Sequence, residues 1–341
     1  MSIDAPIKKV SGFSKVVMAL AFTGMSYGAS VNAAQTFQIG TLYGKDHVMT
    51  KMAEKFAEAI EEKTDGEIKV KPRLGSPFGD VYQIGKQIAN GQRKLDIVSM
   101  SSDVDKRLGI GYMGGLVSNH EEARELYGPG GKFLDVINHI GETAGFKMLS
   151  WSPSGFGGII FRKESTSTET LPSDTRYKVR VAPYKGMIAR FEALGFSAVP
   201  MPYSETYTAL QTGTIDAKGA SPAEEAALEF ADIAYSYLYS RDYFEGIIGV
   251  GVNLDWFNEQ PEDIQDALVE AGYEATELAW TDAKEREESF LEMMEDKGVK
   301  VIRLSDEEYD EIKKISREAE WPVLRETAGD EIMDMLEEIA F

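Results

Sequence analysis

The chain has 341 residues, 36 Lys and Arg against 57 Asp and Glu, and no cysteine, for a formal net charge of −21. Without cysteine there are no disulfides, thiolate metal sites, cysteine nucleophiles or lipid-anchored N-terminal cysteine. So negative a balance argues against nucleic acid or an anionic membrane as partner and fits a solubilising or salt-adapted surface.

The N-terminus reads as a targeting segment. Lys8, Lys9 and Lys15 make a basic flank, and Val16 to Ala29 is small or apolar but too short to cross a bilayer. Val31-Asn32-Ala33 then offers small side chains for cleavage. Residues 1–33 are expected to be a cleavable signal peptide that sends the protein to the periplasm; the alternative is a buried N-terminal helix. Without the three lysines and one aspartate of that segment, the remainder carries −23. No later stretch approaches 18 apolar residues, so the exported part is expected to be soluble. Its length suits two α/β lobes or one large domain.

Phe37–Leu42 reads as a first strand. Met49, Met52, Ala53, Phe56, Ala59 and Ile60 then repeat at three- and four-residue steps, the period of a helix with one buried face. Asp65-Gly66 ends that helix, and residues 67–71 form an alternating strand. A helix over Val81–Asn90 stops at Gly91, and Leu95–Met100 is a short buried strand. Strand–helix–strand–helix–strand in this span predicts an α/β sheet with crossover helices. A less regular region follows to about Tyr127, then a helix over 130–145 and a strand over Lys147–Trp151. Gly155–Gly158 reads as a flexible turn, and Ile159–Phe161 as a strand crossing between domains. Strands over Lys178–Val181, Ser197–Pro200 and Thr214–Ala217, with helices over Gly186–Leu194 and Tyr203–Thr212, predict a second α/β unit over about 159–245. Gly246–Leu254 is an apolar strand returning to the first unit. The remainder is acidic and helical, broken by a strand over Val299–Leu304. The domains expected are lobe I, residues 34–158 plus about 246–286, and lobe II, about 159–245 plus 287–341.

Motifs for chemistry are lacking. Gly109-x-Gly111-x-x-Gly114 has the dinucleotide-binding spacing, but no strand leads into it and no clear helix follows. There is no phosphate-binding GxxxxGK[ST] loop, HExxH or GxSxG, and His47, His120 and His139 lack metal-ligand spacing. No metal and no cofactor is expected. Ligands of open α/β sheets sit at strand C-termini, which nominates Ser101 after its strand and Tyr43, Asp46 and His47 after the first. Asp46 could instead cap the helix that follows.

Three blocks point further: Ala53–Met100, with its "LG" turn and "LDI" strand; Tyr177–Pro222, reading YKVRVAPYKGMIARFEALGFSAVPMPYSETYTALQTGTIDAKGASP; and NLDWFNEQPEDIQDAL from Asn253. Together they resemble the solute-binding subunits of tripartite ATP-independent periplasmic (TRAP) transporters, over nearly all of the chain beyond residue 33. The resemblance implies a two-lobed periplasmic-binding-protein fold with crossing strands, a long C-terminal helix and a ligand cleft. It implies capture of a small organic acid, delivery to a membrane permease, and no catalysis. Members are often monomers.

The resemblance also assigns residues. Arg180 matches the arginine that grips a ligand carboxylate, a task suited to a planar fork of donors. Tyr203 matches an aromatic position that covers the ligand's apolar part, and Ser101 a polar contact; Phe244 lies near the expected hinge. Each has a plain alternative: a surface ion pair, a strand-end hydroxyl, a core ring. Two positions depart from the pattern. Gly157 stands where many relatives have arginine, and Ala220 or Ser221 where many have asparagine. Their loss predicts a ligand with one carboxylate and a different remainder, bulkier or less polar. A binding protein feeding a membrane sensor, and a secreted hydrolase or lyase, are the alternatives.

Overall fold

The computed structural model describes residues 34–341, except 42–43, 46, 76, 80 and 163–170. The expected signal peptide, Tyr43 and Asp46 therefore lie outside the described residues.

The first strand, β1 (Gln35–Gly40), pairs in parallel with β2 (Ile68–Arg73). The helix Val48–Lys63 joins them and buries Met49, Met52, Ala53, Phe56 and Ile60, as its period requires. His47 is its N-cap, its Nδ1 accepting from Met49 N at 3.2 Å. At the other end Asp65 and Gly66 take φ of 46° and 80°, the left-handed backbone that stops a helix. Next, β3 (Leu95–Ser99) lies beside β11 (Ile248–Asn253), which also pairs with β4 (Phe146–Met148), all antiparallel. The apolar segment after residue 246 thus returns to the first sheet region, as its sequence suggests.

The larger sheet has the order β12-β9-β5-β8-β6-β7. It comprises β5 (Gly155–Arg162), β6 (Lys178–Val181), β7 (Ser197–Pro200), β8 (Ala217–Pro222), β9 (Ala234–Tyr239) and β12 (Lys300–Arg303), with β10 (Phe244–Glu245) on β5. Within it β6, β7 and β8 run parallel, connected by the helices Lys185–Ala193 and Tyr203–Thr212. Such parallel pairs need crossover helices, which is why strand and helix signals alternate here. Buried apolar residues gather in two clusters. One holds Ile39, Phe56, Val250 and Leu268; the other holds Phe161, Val179, Phe191 and Leu238 around the larger sheet.

Three expectations are corrected. Gly155–Gly158 is the start of β5, with no flexible turn: a Cβ on Gly157 would stand 2.1 Å from Tyr243 Cε1, and one on Gly158 2.3 Å from Tyr237 Cζ. Glycine clusters there because rings press on the strand. The strand expected at 214–217 instead spans Ala217–Pro222, held by β6 on one side and β5 on the other. The region up to Tyr127 contains a 3₁₀ helix, Lys106–Tyr112, and an α-helix, His120–Tyr127.

Gly109-x-Gly111-x-x-Gly114 lies on and just after that 3₁₀ helix and serves packing. A Cβ on Gly114 would meet Arg190 Nη1 at 2.5 Å and the Asp242 carbonyl at 2.7 Å. Arg190, Asp242 and Glu320 form a buried ionic cluster, the last on the long helix Asp306–Ala328. Arg190 Nη1 donates to Glu320 Oε2 at 2.7 Å and to the Tyr112 carbonyl at 3.0 Å, and its Nε is 3.3 Å from Asp242 Oδ2. Among the described residues no helix is long and apolar enough to cross a membrane, and no group of His, Asp or Glu is arranged to hold a metal.

A candidate solute-binding site

Strands β6 and β8 and the segment that follows β7 converge on one cavity of about 580 Å³. In β6 the side chains alternate. Val179 and Val181 are fully buried, so Arg180 between them points to the opposite face, where it lines the cavity. Its Nε donates to the Met201 carbonyl at 3.1 Å, just beyond β7, which aims the guanidinium. Among the described residues its two terminal nitrogens have no hydrogen-bond partner, and the residue is only 6% exposed. A fork of charged donors held by its stem in a concave wall has the geometry to accept a carboxylate.

The cross-strand partner of Arg180 on β8 is Lys218, also buried and also facing the cavity. Lys218 Nζ donates to Glu225 Oε2 at 2.8 Å and to the Ala220 carbonyl at 3.2 Å. Burial lowers the lysine's pKa, Glu225 opposing and Arg180 adding to the effect. Tyr203 opens the helix after β7 and stands over both cations: its ring centre is 5.8 Å from the Arg180 guanidinium carbon and 5.9 Å from Lys218 Nζ. It is 44% exposed, far more than a core ring. Ser101, just after β3, lines the same cavity, as do Tyr112 and Tyr184, whose rings lie 4.9 Å apart.

Glu245 completes the wall. Phe244, its neighbour on β10, points into the core against Tyr127, Phe156 and Trp280. Strand alternation therefore turns Glu245 to the cavity side. Burial pushes its carboxyl up to about 8, and Glu225 adds to the rise, while Lys218 and Arg180 oppose it.

Arg180, Tyr203 and Ser101 are thus brought together. Phe244 is a core ring, one residue from the side chain that faces the cavity. Ser221 is fully buried, its Oγ donating to Glu225 Oε2 at 3.0 Å, and Ala220 beside it is the one that lines the cavity. Gly157 lies under the Tyr243 ring, and the hydroxyl of that ring donates to the Ala220 carbonyl at 3.2 Å. A single tyrosine thereby links the two positions expected to depart from the TRAP pattern. His47 is buried beside Glu224, its Nε2 3.8 Å from Oε1. Burial, then Arg286 and Lys51, hold the imidazole down to about 3, so it is neutral and this contact is no ion pair.

Sequence reasoning missed Lys218, Glu225 and Glu245. Lys218 had a signal: once the strand is set at 217–222, it falls level with Arg180. The two glutamates had none among 57 acidic residues.

Residues 39–323 match the model of the family described as bacterial extracellular solute-binding protein, family 7. The chain belongs to this family. It is 24% identical over 294 residues to the 2,3-diketo-L-gulonate-binding periplasmic protein YiaO of Escherichia coli, covering 84% of this chain and 87% of that one. It is 29% identical over 176 residues to the C4-dicarboxylate-binding periplasmic protein DctP of Rhodobacter capsulatus, covering 49% and 53%. The fold matches a TRAP periplasmic solute binding protein from Desulfovibrio salexigens with bound orotic acid. That match has a TM-score of 0.78 at 22% identity and covers 89% of this chain and 98% of that one. A Bordetella pertussis extracytoplasmic solute receptor binding pyroglutamic acid matches with TM-score 0.76 at 18% identity, over 90% and 99%. The α/β architecture with separate sheets is therefore the two-lobed fold of these periplasmic binding proteins.

Proposed function

We propose that this family 7 protein is the periplasmic receptor of a TRAP transporter: it captures a small organic acid in the cavity, grips the carboxylate with Arg180, and hands it to a membrane permease. The observation that carries the reading is the Arg180 guanidinium, anchored through Nε and open at both terminal nitrogens on a cavity wall. Solved relatives hold orotate and pyroglutamate, both small organic acids, which agrees with it. Tyr203 covers the ligand and Ser101 offers it a hydroxyl. Tyr43 and Asp46, after β1, are proposed as further contacts. Residues 34–158 with about 246–286 form one lobe, and about 159–245 with 287–341 the other. The lobes close over the solute by a hinge motion and the permease reads the closed form. The protein works as a monomer, exported by its signal peptide, and does no chemistry on the solute.

The test is a thermal-shift screen against small organic acids, followed by titration calorimetry on Arg180→Ala. A ligand present at about 100 times its Kd should stabilise the fold by about 2.7 kcal/mol. Arg180→Ala should lose about 10²-fold in affinity or more, the scale for removing one partner of a buried charge pair. An unchanged affinity in a folded variant would remove the carboxylate anchor from the argument. Turnover of a bound acid would refute a pure receptor.

A further inference from the structure

The ionisable groups around the cavity offer more than a simple anion uses. Arg180 and Lys218 share the cavity lining with Asp103, Glu225, Glu229 and Glu245, and of these Asp103 is paired with Lys86 at 3.3 Å. Lys218 and Glu225 satisfy each other at 2.8 Å. That leaves Glu245, a carboxyl with no hydrogen-bond partner among the described residues, lining the cavity together with Arg180. A carboxylate arriving alone would use Arg180 and leave the Glu245 carboxyl without a partner of opposite charge. A ligand that also brings a positive charge would satisfy both sides. The tyrosines fit the same demand: Tyr112 and Tyr184, tilted 33° apart, present ring surface to the cavity, and aromatic faces attract organic cations.

We infer that the cavity selects a zwitterion, a compact carboxylate carrying an ammonium or quaternary nitrogen, with its carboxylate on Arg180 and its cationic nitrogen on Glu245 beside Tyr112 and Tyr184. The inference rests on Arg180 as the carboxylate anchor and adds Glu245 as the residue that sets specificity. Its position supports that role. Glu245 is held on the two-residue strand β10, which pairs at Gly155 and Phe156 of β5, while Phe244 pins the strand to the core. The carboxylate therefore stands on a fixed element, as selective recognition requires.

Proton balance gives the two ligand classes distinct signatures. The groups that act on Glu245 are Arg180, Lys218, Glu225 and Tyr243. Burial holds a proton on its carboxyl up to about pH 8. A cationic nitrogen needs the ionised carboxylate and expels that proton, so affinity for a zwitterion rises by up to about tenfold per pH unit below 8. A plain anion prefers the protonated form, so its affinity is nearly constant below pH 8 and falls only above it.

The test is calorimetry at pH 6, 7 and 8 with two pairs of probes that differ only in the charged nitrogen: glycine betaine against 3,3-dimethylbutyrate, and L-proline against cyclopentanecarboxylate. The parent protein should prefer the zwitterion by about tenfold or more, the scale of one buried charged contact. Glu245→Gln should bring the ratio near one and flatten the pH dependence. Tighter binding of the carbon isosteres, abolished by Arg180→Ala, would overturn the inference and leave the anchor standing. Absence of binding by all four probes, or indifference to Arg180→Ala, would overturn the anchor and the inference with it. The probe comparison on the unmodified protein stands even if Glu245→Gln fails to fold.

Discussion

Replacing Arg190 by Met tests whether the buried ionic cluster is a keystone of the fold. Arg190 and Asp242 are fully buried and Glu320 nearly so, in a region joining the 3₁₀ helix, the helix Lys185–Ala193 and the long helix Asp306–Ala328. Burial opposes the charge on Arg190, and Glu320 and Asp242 more than reverse that, holding the guanidinium above its usual range. Methionine fills similar space but leaves both carboxylates without a cation. Breaking such a buried set costs about 3–5 kcal/mol, against a total stability on the order of 5–15 kcal/mol. At a urea slope of about 3 kcal/mol/M this moves the unfolding midpoint down by about 1–1.7 M. The loss should depend on pH. Burial already raises the Glu320 carboxyl above its ordinary value, Arg190 pulling against it, and without Arg190 it rises further. The folded state then holds a proton that the unfolded chain releases above about pH 4.5, so stability falls as pH rises from there. Urea unfolding of parent and variant at pH 5 and 8 reads this directly: the deficit should be larger at pH 8. A midpoint within the equivalent of about 1 kcal/mol of the parent at both values would refute the reasoning.

Two further substitutions probe the cavity wall. Tyr203→Ala removes a half-exposed ring beside Arg180, so affinity should drop about 5–30-fold with stability nearly unchanged; a fall of many degrees in melting temperature would assign the ring to the core. Gly157→Ala sets a methyl 2.1 Å from the Tyr243 ring, whose hydroxyl is tied to the Ala220 carbonyl. It should cost about 1–3 kcal/mol by differential scanning calorimetry, and an unchanged melting temperature would mean that the ring moves aside freely.

What could be read from the sequence was local. Period and punctuation fixed the helix Val48–Lys63, the left-handed stop at Asp65-Gly66, and the helix Tyr203–Thr212 closed by Gly213 at φ 74°. These signals lie within a few residues of what they specify, so the chain carries them without its fold. The strand pattern around Arg180, with valine on either side, placed that residue in mid-strand by the same means. Failures came where the cause lay far away in the chain. Gly155–Gly158 looked like a turn because glycine usually means freedom, yet here it yields space to Tyr237 and Tyr243 from about 80 residues on. The strand at Ala217–Pro222 has weak strand residues of its own and exists through its neighbours on both edges.

The site divides along the same line. One arginine between valines, beside a tyrosine that opens a helix, was legible, through the family resemblance, as a candidate carboxylate anchor. The tertiary structure alone decided what surrounds it: Lys218 by register, Glu245 by alternation from a buried Phe244, and Tyr243 filling the room over Gly157. Electrostatics at a site depend on distances of a few ångströms between residues far apart in the chain, and only the folded packing sets those distances.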